Sequence, residues 1–298
     1  MNHRKFSRRQ FLGTTITFTG AALLAPAGLR AADHVKRTAA DQVTLGKTGI
    51  KLSRLGIGTG TNSGEVQRSL GHEGFNKLIR YAYDQGITYI DTAQSYHTHD
   101  WIRDAIKGLP REKLFIQTKM PDVPENPLQV LDRYRLELGV DYLDSVLSHF
   151  AHTPDWPDER KRVLDALEEA KEKKIIRAKG VSCHGLPALK RATPLDWVDV
   201  HLVRVNPQGR HMDGPSPSDH IAPTAEPLKE ITAMRAKGRG IIGMKIIGNG
   251  EFKRPEDREK SIRFAMQCGL LDAVVIGFSS TSEIDEAVER INRALAEA

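Results

Sequence analysis

Asp91, Tyr96, Lys119 and His149 each fall at or just after the end of a short apolar, β-branched run. Ile87-Thr88-Tyr89-Ile90 leads to Asp91, and Leu114-Phe115-Ile116-Gln117-Thr118 leads to Lys119. Leu143-Asp144-Ser145-Val146-Leu147-Ser148 leads to His149. Such runs read as strands. If the strands are parallel neighbours, their C-terminal ends open at one mouth and the four side chains converge there. A carboxylate, a phenol, an ammonium and an imidazole gathered in one place can pass a proton to a carbonyl oxygen. A free phenol has a pKa near 10, so it needs a neighbouring cation to ionise near neutrality. A buried ammonium in turn needs a carboxylate beside it. Taken singly, each residue has a plainer reading: an Asp capping a turn, a Tyr in a wall, a surface Lys.

The rest of the chain supplies the elements that must hold them. After an extended entry over Val43–Leu52, strand patterns recur at Leu55–Gly58, Thr88–Asp91, Lys113–Lys119, Tyr142–His149, Ile176–Ser182, Trp197–Val205, Gly240–Lys245 and Ala273–Gly277. Amphipathic helical patterns lie between them at Phe75–Gln85, Leu128–Leu138, Glu159–Lys173, Leu228–Lys237, Asp257–Cys268 and Ser282–Ala296, with weaker ones near Trp101–Gly108 and Leu186–Arg191. This alternation predicts a single-domain α/β protein, a (β/α)8 TIM barrel over residues 43–298. A doubly wound sheet is the competing architecture, but no strand–turn–helix unit carries a dinucleotide fingerprint. The glycines at every second position of Leu55-Gly56-Ile57-Gly58-Thr59-Gly60 suit a tightly packed first strand. Residues 206–227 hold five prolines and no helical period, so a long loop is expected over the active face.

In these contexts the chain resembles the aldo-keto reductase superfamily. Asp91-Thr92-Ala93 followed by Tyr96 is similar to the family's Asp-Thr-Ala…Tyr signature; Phe115–Lys119 is similar to its lysine strand and Asp141–His149 to its histidine strand. Leu45–Thr59 is similar to its opening segment, and the resemblance runs from about residue 43 to 291. It implies an NAD(P)H-dependent oxidoreductase that interconverts an aldehyde or ketone and an alcohol. Tyr96 would donate the proton, Lys119 paired with Asp91 would lower its pKa, and His149 would orient the carbonyl.

The resemblance also implies a nucleotide site. Its candidates are Gly58, Thr59, Asp91, Ser182, Cys183, Met244, Lys245, Gly277, Phe278, Ser279 and Glu286. Several positions depart from the family: Cys183 replaces the usual Asn after Ser182, Leu202 replaces a Gln, and Gly243-Met244-Lys245 stands where others have Tyr-Ser. Ile276–Thr281 resembles the phosphate-binding turn before the last helix, whose N-terminus suits an anion. The position that grips the 2′-phosphate of NADPH with an Arg in relatives matches Glu283 here. A carboxylate would repel that phosphate, which points to NADH or a relaxed preference.

Residues 1–32 read as a twin-arginine signal peptide, with Ser7-Arg8-Arg9-Gln10-Phe11-Leu12 as the export motif and cleavage between about 27 and 32. The Thr, Gly and Pro residues of this stretch make it a poor transmembrane anchor. The expected location is periplasmic or otherwise extracytoplasmic, with the export machinery as a partner and no membrane association after processing. The leader holds five of the 44 Lys and Arg and no acid, so the rest is nearly balanced against 38 acidic residues. No basic patch with interleaved aromatics remains to suggest nucleic acid. Two cysteines, Cys183 and Cys268, do not make a disulfide framework.

Eight of the eleven histidines fall near strand ends or on the long loop: His97, His99, His149, His152, His184, His201, His211 and His220. With Asp100, Asp213, Asp219 and Cys183 nearby, they keep a metal-assisted hydrolase or lyase open as an alternative. Compact ligand spacing is lacking, and imidazoles lining a polar cleft are the simpler expectation. A catalytically idle binding protein is the third reading, disfavoured by the complete set of Asp91, Tyr96, Lys119 and His149.

Overall fold

The computed structural model describes residues 37–216 and 220–298. The signal-peptide segment and Asp219 lie outside them. An antiparallel hairpin, β1 (Gln42–Thr44) with β2 (Lys51–Ser53), comes first. Eight strands follow: β3 (Leu55–Gly58), β4 (Tyr89–Asp91), β5 (Phe115–Met120), β6 (Leu143–Ala151), β7 (Ile176–Cys183), β8 (Val200–Arg204), β9 (Gly240–Met244) and β10 (Ala273–Gly277). Each pairs in parallel with its sequence neighbour, and β10 returns to β3, so the sheet closes into a barrel. The helices are α1 (Glu65–Arg68), α2 (Gly71–Asp84), α3 (His99–Ile106), α4 (Pro127–Leu138), α5 (Trp156–Glu159), α6 (Lys161–Glu172), α7 (Leu186–Ala192), α8 (Ala225–Ala236), α9 (Pro255–Gln267) and α10 (Thr281–Ala296).

Side-chain alternation along each strand builds two cores. Leu55, Ile57, Val203 and Ile241 face outward and pack under helix residues such as Phe75, Leu167 and Ile284. Tyr89, Phe115, Leu147, Val200, Leu202 and Ile242 face inward and fill the barrel. Leu45, Ile50 and Leu52 of the hairpin join this inner cluster, which makes the extended entry a plug. Gly56 is inward-facing, and a Cβ on it would lie 2.1 Å from the ring of Tyr89. The alternating glycines of β3 therefore make room for neighbouring aromatic rings.

Most element ends shift by a few residues, and two of the differences have specific physical reasons. The long loop ends at Thr224, because α8 begins at Ala225 and takes Pro227 into its first turn, where a missing N–H costs nothing. The loop is also folded: Arg210 bridges Ile221, the His211 amide donates to the His220 carbonyl, and the Leu186 amide donates to the Gly214 carbonyl. In β6 the pairing shifts between His149 and Ala151, and Phe150 takes a left-handed φ of 65° there. This bulge turns the Phe150 ring out to the mouth beside His152 and His184, with ring centroids 4.0 and 4.3 Å away.

Candidate active site

Asp91 ends β4, Lys119 lies near the end of β5 and His149 near the end of β6; Tyr96 closes a short 3-10 turn over Gln94–Tyr96 just after β4. The barrel brings all four together. The Lys119 ammonium donates to Asp91 Oδ2 at 2.7 Å and to the Thr92 carbonyl at 2.8 Å. Gln117, one inward position earlier on β5, donates to Asp91 Oδ1 at 2.8 Å. Lys119 Nζ also lies 4.9 Å from the centroid of the Tyr96 ring. The His149 ring stands edge-on to the phenol at 5.8 Å between centroids. Lys119 is 1% exposed, so removing Asp91 would strand a buried charge at a cost of about 3–5 kcal/mol.

The electrostatics differ in one respect from the sequence expectation. Burial pushes the Tyr96 phenol above its usual value near 10, and the opposing pull of Lys119 does not overcome it. Tyr96 is therefore protonated across the neutral range, the state required of a proton donor. Burial acts against the Lys119 charge, but Asp91 and Tyr96 together raise its pKa. Burial, then Lys119, Arg160 and Lys245, drives His149 well below 6.5. The imidazole is neutral and still carries one N–H to offer an oxygen.

A crevice opens from this group. Its inner end, about 100 Å³, is lined by Gly58, Gly60, Asp91, Tyr96, Met244 and Lys245. Through Thr61, Asn249 and Gly277 it runs into an outer cleft of about 310 Å³ walled by Phe278, Ser279, Glu283, Glu286, Arg258 and Arg290. A Cβ on Gly277 would lie 2.1 Å from Thr61 Oγ1, so glycine is needed where the two parts join. Lys245 has a left-handed φ of 61°, donates to Asn249 Oδ1 at 2.8 Å, and is pushed down to about 8, mainly by burial. Glu283 accepts from the Ser279 amide at 2.7 Å and from the Ser279 hydroxyl at 2.9 Å. Glu286 is paired with both Arg258 and Arg290.

Three expected nucleotide residues are placed differently. Thr59 is fully buried, with its hydroxyl tied to the Asp91 carbonyl and to Thr98, so it braces β4. Cys183 faces the helix layer, because it follows the inward-facing Ser182 on a strand. Ser182 is inward but engaged, since its Oγ lies 3.2 Å from His184 Nε2. Arg204 donates to His184 Nδ1 at 2.5 Å. An Arg nitrogen can only donate, so His184 carries its proton on Nε2 and donates it to Ser182. The expectation counted His184 only among the histidines of a polar cleft and had no place for Arg204, Asn249 or Arg258. The Gly248-Asn249-Gly250 run was a usable signal for Asn249; Arg258 reaches the cleft from α9, and nothing in its local sequence marks it.

The histidines scatter. His99 sits behind β5, bonded to Glu137 and Thr118; His201 is buried facing the helices; His211 pairs with Glu251. His149, His152 and His184 gather at the mouth and His211 meets His220 on the loop after β8, but among the described residues no three His, Cys, Asp or Glu converge in a metal-binding arrangement. Trp101 packs against Phe75 outside the barrel and Trp156 is buried in the outer core, so neither shapes the pocket.

An eight-stranded parallel barrel with this crevice and this set of four residues defines a class. The family model for the aldo/keto reductase family matches residues 54–296, and the chain belongs to that family. Among curated proteins it is 30% identical over 180 residues to methylglyoxal reductase DkgA of Yersinia pestis, covering 57% of this chain and 61% of that one. It is 28% identical over 171 residues to the NADH-specific methylglyoxal reductase of Escherichia coli, covering 47% and 51%. The chain thus spans little more than half the length of these relatives. The holo form of aldo-keto reductase AKR11C1 from Bacillus halodurans superposes with a TM-score of 0.68 at 16% identity, over 86% of this chain and 95% of that one, a likeness of fold.

Proposed function

We propose that this protein is a nicotinamide-dependent oxidoreductase that interconverts a small aldehyde or ketone and its alcohol. The observation that carries the reading is the Lys119 ammonium, held 2.7 Å from Asp91 and 4.9 Å from the Tyr96 ring, with the His149 ring 5.8 Å from the phenol. Gly58, Met244, Lys245 and Gly277 would hold the nicotinamide half of the nucleotide, and Phe278, Ser279 and the start of α10 the adenosine half. The fit is supported by the two-part crevice, by the glycine at its junction and by the N–H groups opening α10. When bound, the reduced nicotinamide supplies a hydride to the carbonyl carbon.

The residues of the chain do the rest. The Tyr96 hydroxyl and the neutral His149 N–H donate to the carbonyl oxygen, and Tyr96 gives up its proton as negative charge develops there. Lys119 stabilises the phenolate that remains, and Asp91 with Gln117 keeps Lys119 charged and fixed. Proton transfer of this kind is typically worth about 10²–10⁴-fold.

NADH is the favoured nucleotide in this reading. Glu283 occupies the Ser279 amide and hydroxyl with its own carboxylate, and Arg258 and Arg290 are both engaged by Glu286. An added 2′-phosphate would meet Glu283 without a free guanidinium to offset it. The Ser7–Leu12 motif further supports export by the twin-arginine route, with nucleotide loaded before translocation.

The test is a parallel titration of the protein with NADH and NADPH, followed by carbonyl-dependent NADH oxidation by wild type and Tyr96→Phe. Binding without turnover in the variant is expected. Turnover unaffected by the loss of the phenol hydroxyl would end the mechanism.

A further inference from the structure

Arg204 is the last residue of β8 and shares its inward face with Val200 and Leu202, which lie in the barrel core. Its guanidinium therefore stands in the top layer of the barrel, on the strand next to β9, whose Met244 is its register partner. Among the described residues, one of its nitrogens is used within hydrogen-bond distance: Nη2 donates to His184. Nε is buried and has no hydrogen-bond partner, and Nη1 makes no hydrogen bond among the described residues. The acid that faces it, Asp213 on the loop after β8, lies 3.7 Å from Nε, outside hydrogen-bond range. Burial also pushes Asp213 up to about 7, so near neutrality the counter-charge is partial. The His184 ring is 5.9 Å from that of His149, which places this guanidinium one side chain behind the carbonyl-orienting imidazole.

We propose that Arg204, oriented by His184, forms an anion subsite that binds a carboxylate carried by the carbonyl substrate. The proposal rests on the reductase reading and names its substrate class. A guanidinium with unused N–H donors matches a carboxylate in charge and hydrogen-bonding type. A buried, under-used Arg is costly unless a ligand completes its hydrogen bonds. His184 is held on Arg204 through Nδ1 and on Ser182 through Nε2–H, so the fork is fixed before a ligand arrives. Lys245, directly after the neighbouring strand β9, adds a second positive charge close to Arg204. Asp91, the other acid of this layer, is already committed to Lys119.

The test compares carbonyl substrates that differ only in charge: 4-carboxybenzaldehyde against its methyl ester, and succinic semialdehyde against its methyl ester. A charge-assisted pair supports a kcat/KM advantage of about tenfold or more for at least one acid over its ester. In Arg204→Gln the acid-to-ester ratio should collapse towards unity, while Arg204→Lys should keep part of it. A wild-type ratio at or below unity for both pairs overturns the proposal, as does a ratio that survives in Arg204→Gln. Loss of NADH affinity in Arg204→Gln as large as the loss for the acid would assign the cation to the nucleotide instead, and overturns it too. If the variants do not fold, benzoate and succinate are compared with their amides as inhibitors of ester reduction by wild type. Stronger inhibition by the anions supports the subsite, and equal inhibition overturns it. Should no carbonyl be reduced at all, the reductase reading fails separately; calorimetry of benzoate against benzamide with the nucleotide-loaded protein then still decides whether the subsite exists.

Discussion

Gly60 lies so close to Tyr96 that a Cβ built on it would sit 2.3 Å from Cε2 of the phenol ring. The position of the proton donor is thus set partly by a missing side chain in the loop just after the neighbouring strand β3. Gly60→Ala should push the ring away from Lys119 and His149. Misplacement of about 1 Å is enough to cost roughly 10²-fold in rate. We expect kcat to fall by that order with a smaller change in NADH affinity, measured by steady-state kinetics and titration. Unchanged kcat would show that the phenol position is not critical.

Lys245 and Tyr96 predict different pH dependences. Lys245 titrates near 8 in the free protein, so it is charged below that pH and attracts the nucleotide's phosphates there. KM for NADH should rise as pH increases through 8, and Lys245→Met should remove that dependence. Tyr96 is raised above 10 by burial and is the protonated donor in reduction. The kcat for reduction should therefore stay level from pH 7 to 9, while alcohol oxidation, which needs the phenolate, should climb with pH.

Glu283 is held on Ser279 by two hydrogen bonds at the start of α10. Glu283→Ala would free both donors and remove a negative charge from the adenosine end of the cleft. NADPH affinity should improve by about tenfold, the value of one charge-assisted interaction, with little effect on NADH. Parallel fluorescence titrations with the two nucleotides would measure it. An unchanged NADPH-to-NADH ratio would remove Glu283 as the determinant.

His201 faces the helix layer with both ring nitrogens buried and without hydrogen-bond partners. Burial, helped by Arg239, lowers its pKa to about 3, so the folded protein keeps it neutral while the unfolded chain protonates it below about 6.5. Its contribution to stability is complete above that value and is lost as pH falls from there towards 3, by about 1.4 kcal/mol for each pH unit at most. His201→Leu should stabilise the protein by about 1–3 kcal/mol at pH 8 by removing unsatisfied polar atoms, and by more at pH 5. Chemical denaturation at the two pH values reads both effects; an equal gain at each would contradict the buried, neutral imidazole.

Much of the barrel was legible because each of its units is a local pattern. Strand runs ending in Asp91, Lys119 and His149 recur at barrel spacing, and the closed parallel sheet brings their ends together as that alternation requires. Thr59 and Cys183 were misplaced by counting along a motif; the period-two alternation of a strand sends neighbours of Gly58 and Ser182 to the other face. The same rule directs His201 away from the mouth.

Residue order and periodicity made the fold class and the strand-end candidates legible. The family resemblance they carry singled out the reactive quartet and the carboxylate at position 283, since each can be read from side-chain types along local segments. Packing between distant elements decided the remainder: the upward shift of Tyr96, the arrival of Arg258 from α9, and the Arg204–His184–Ser182 chain across β7 and β8. Burial and through-space distance set those properties, and they exist only once segments remote in the chain have closed around one another.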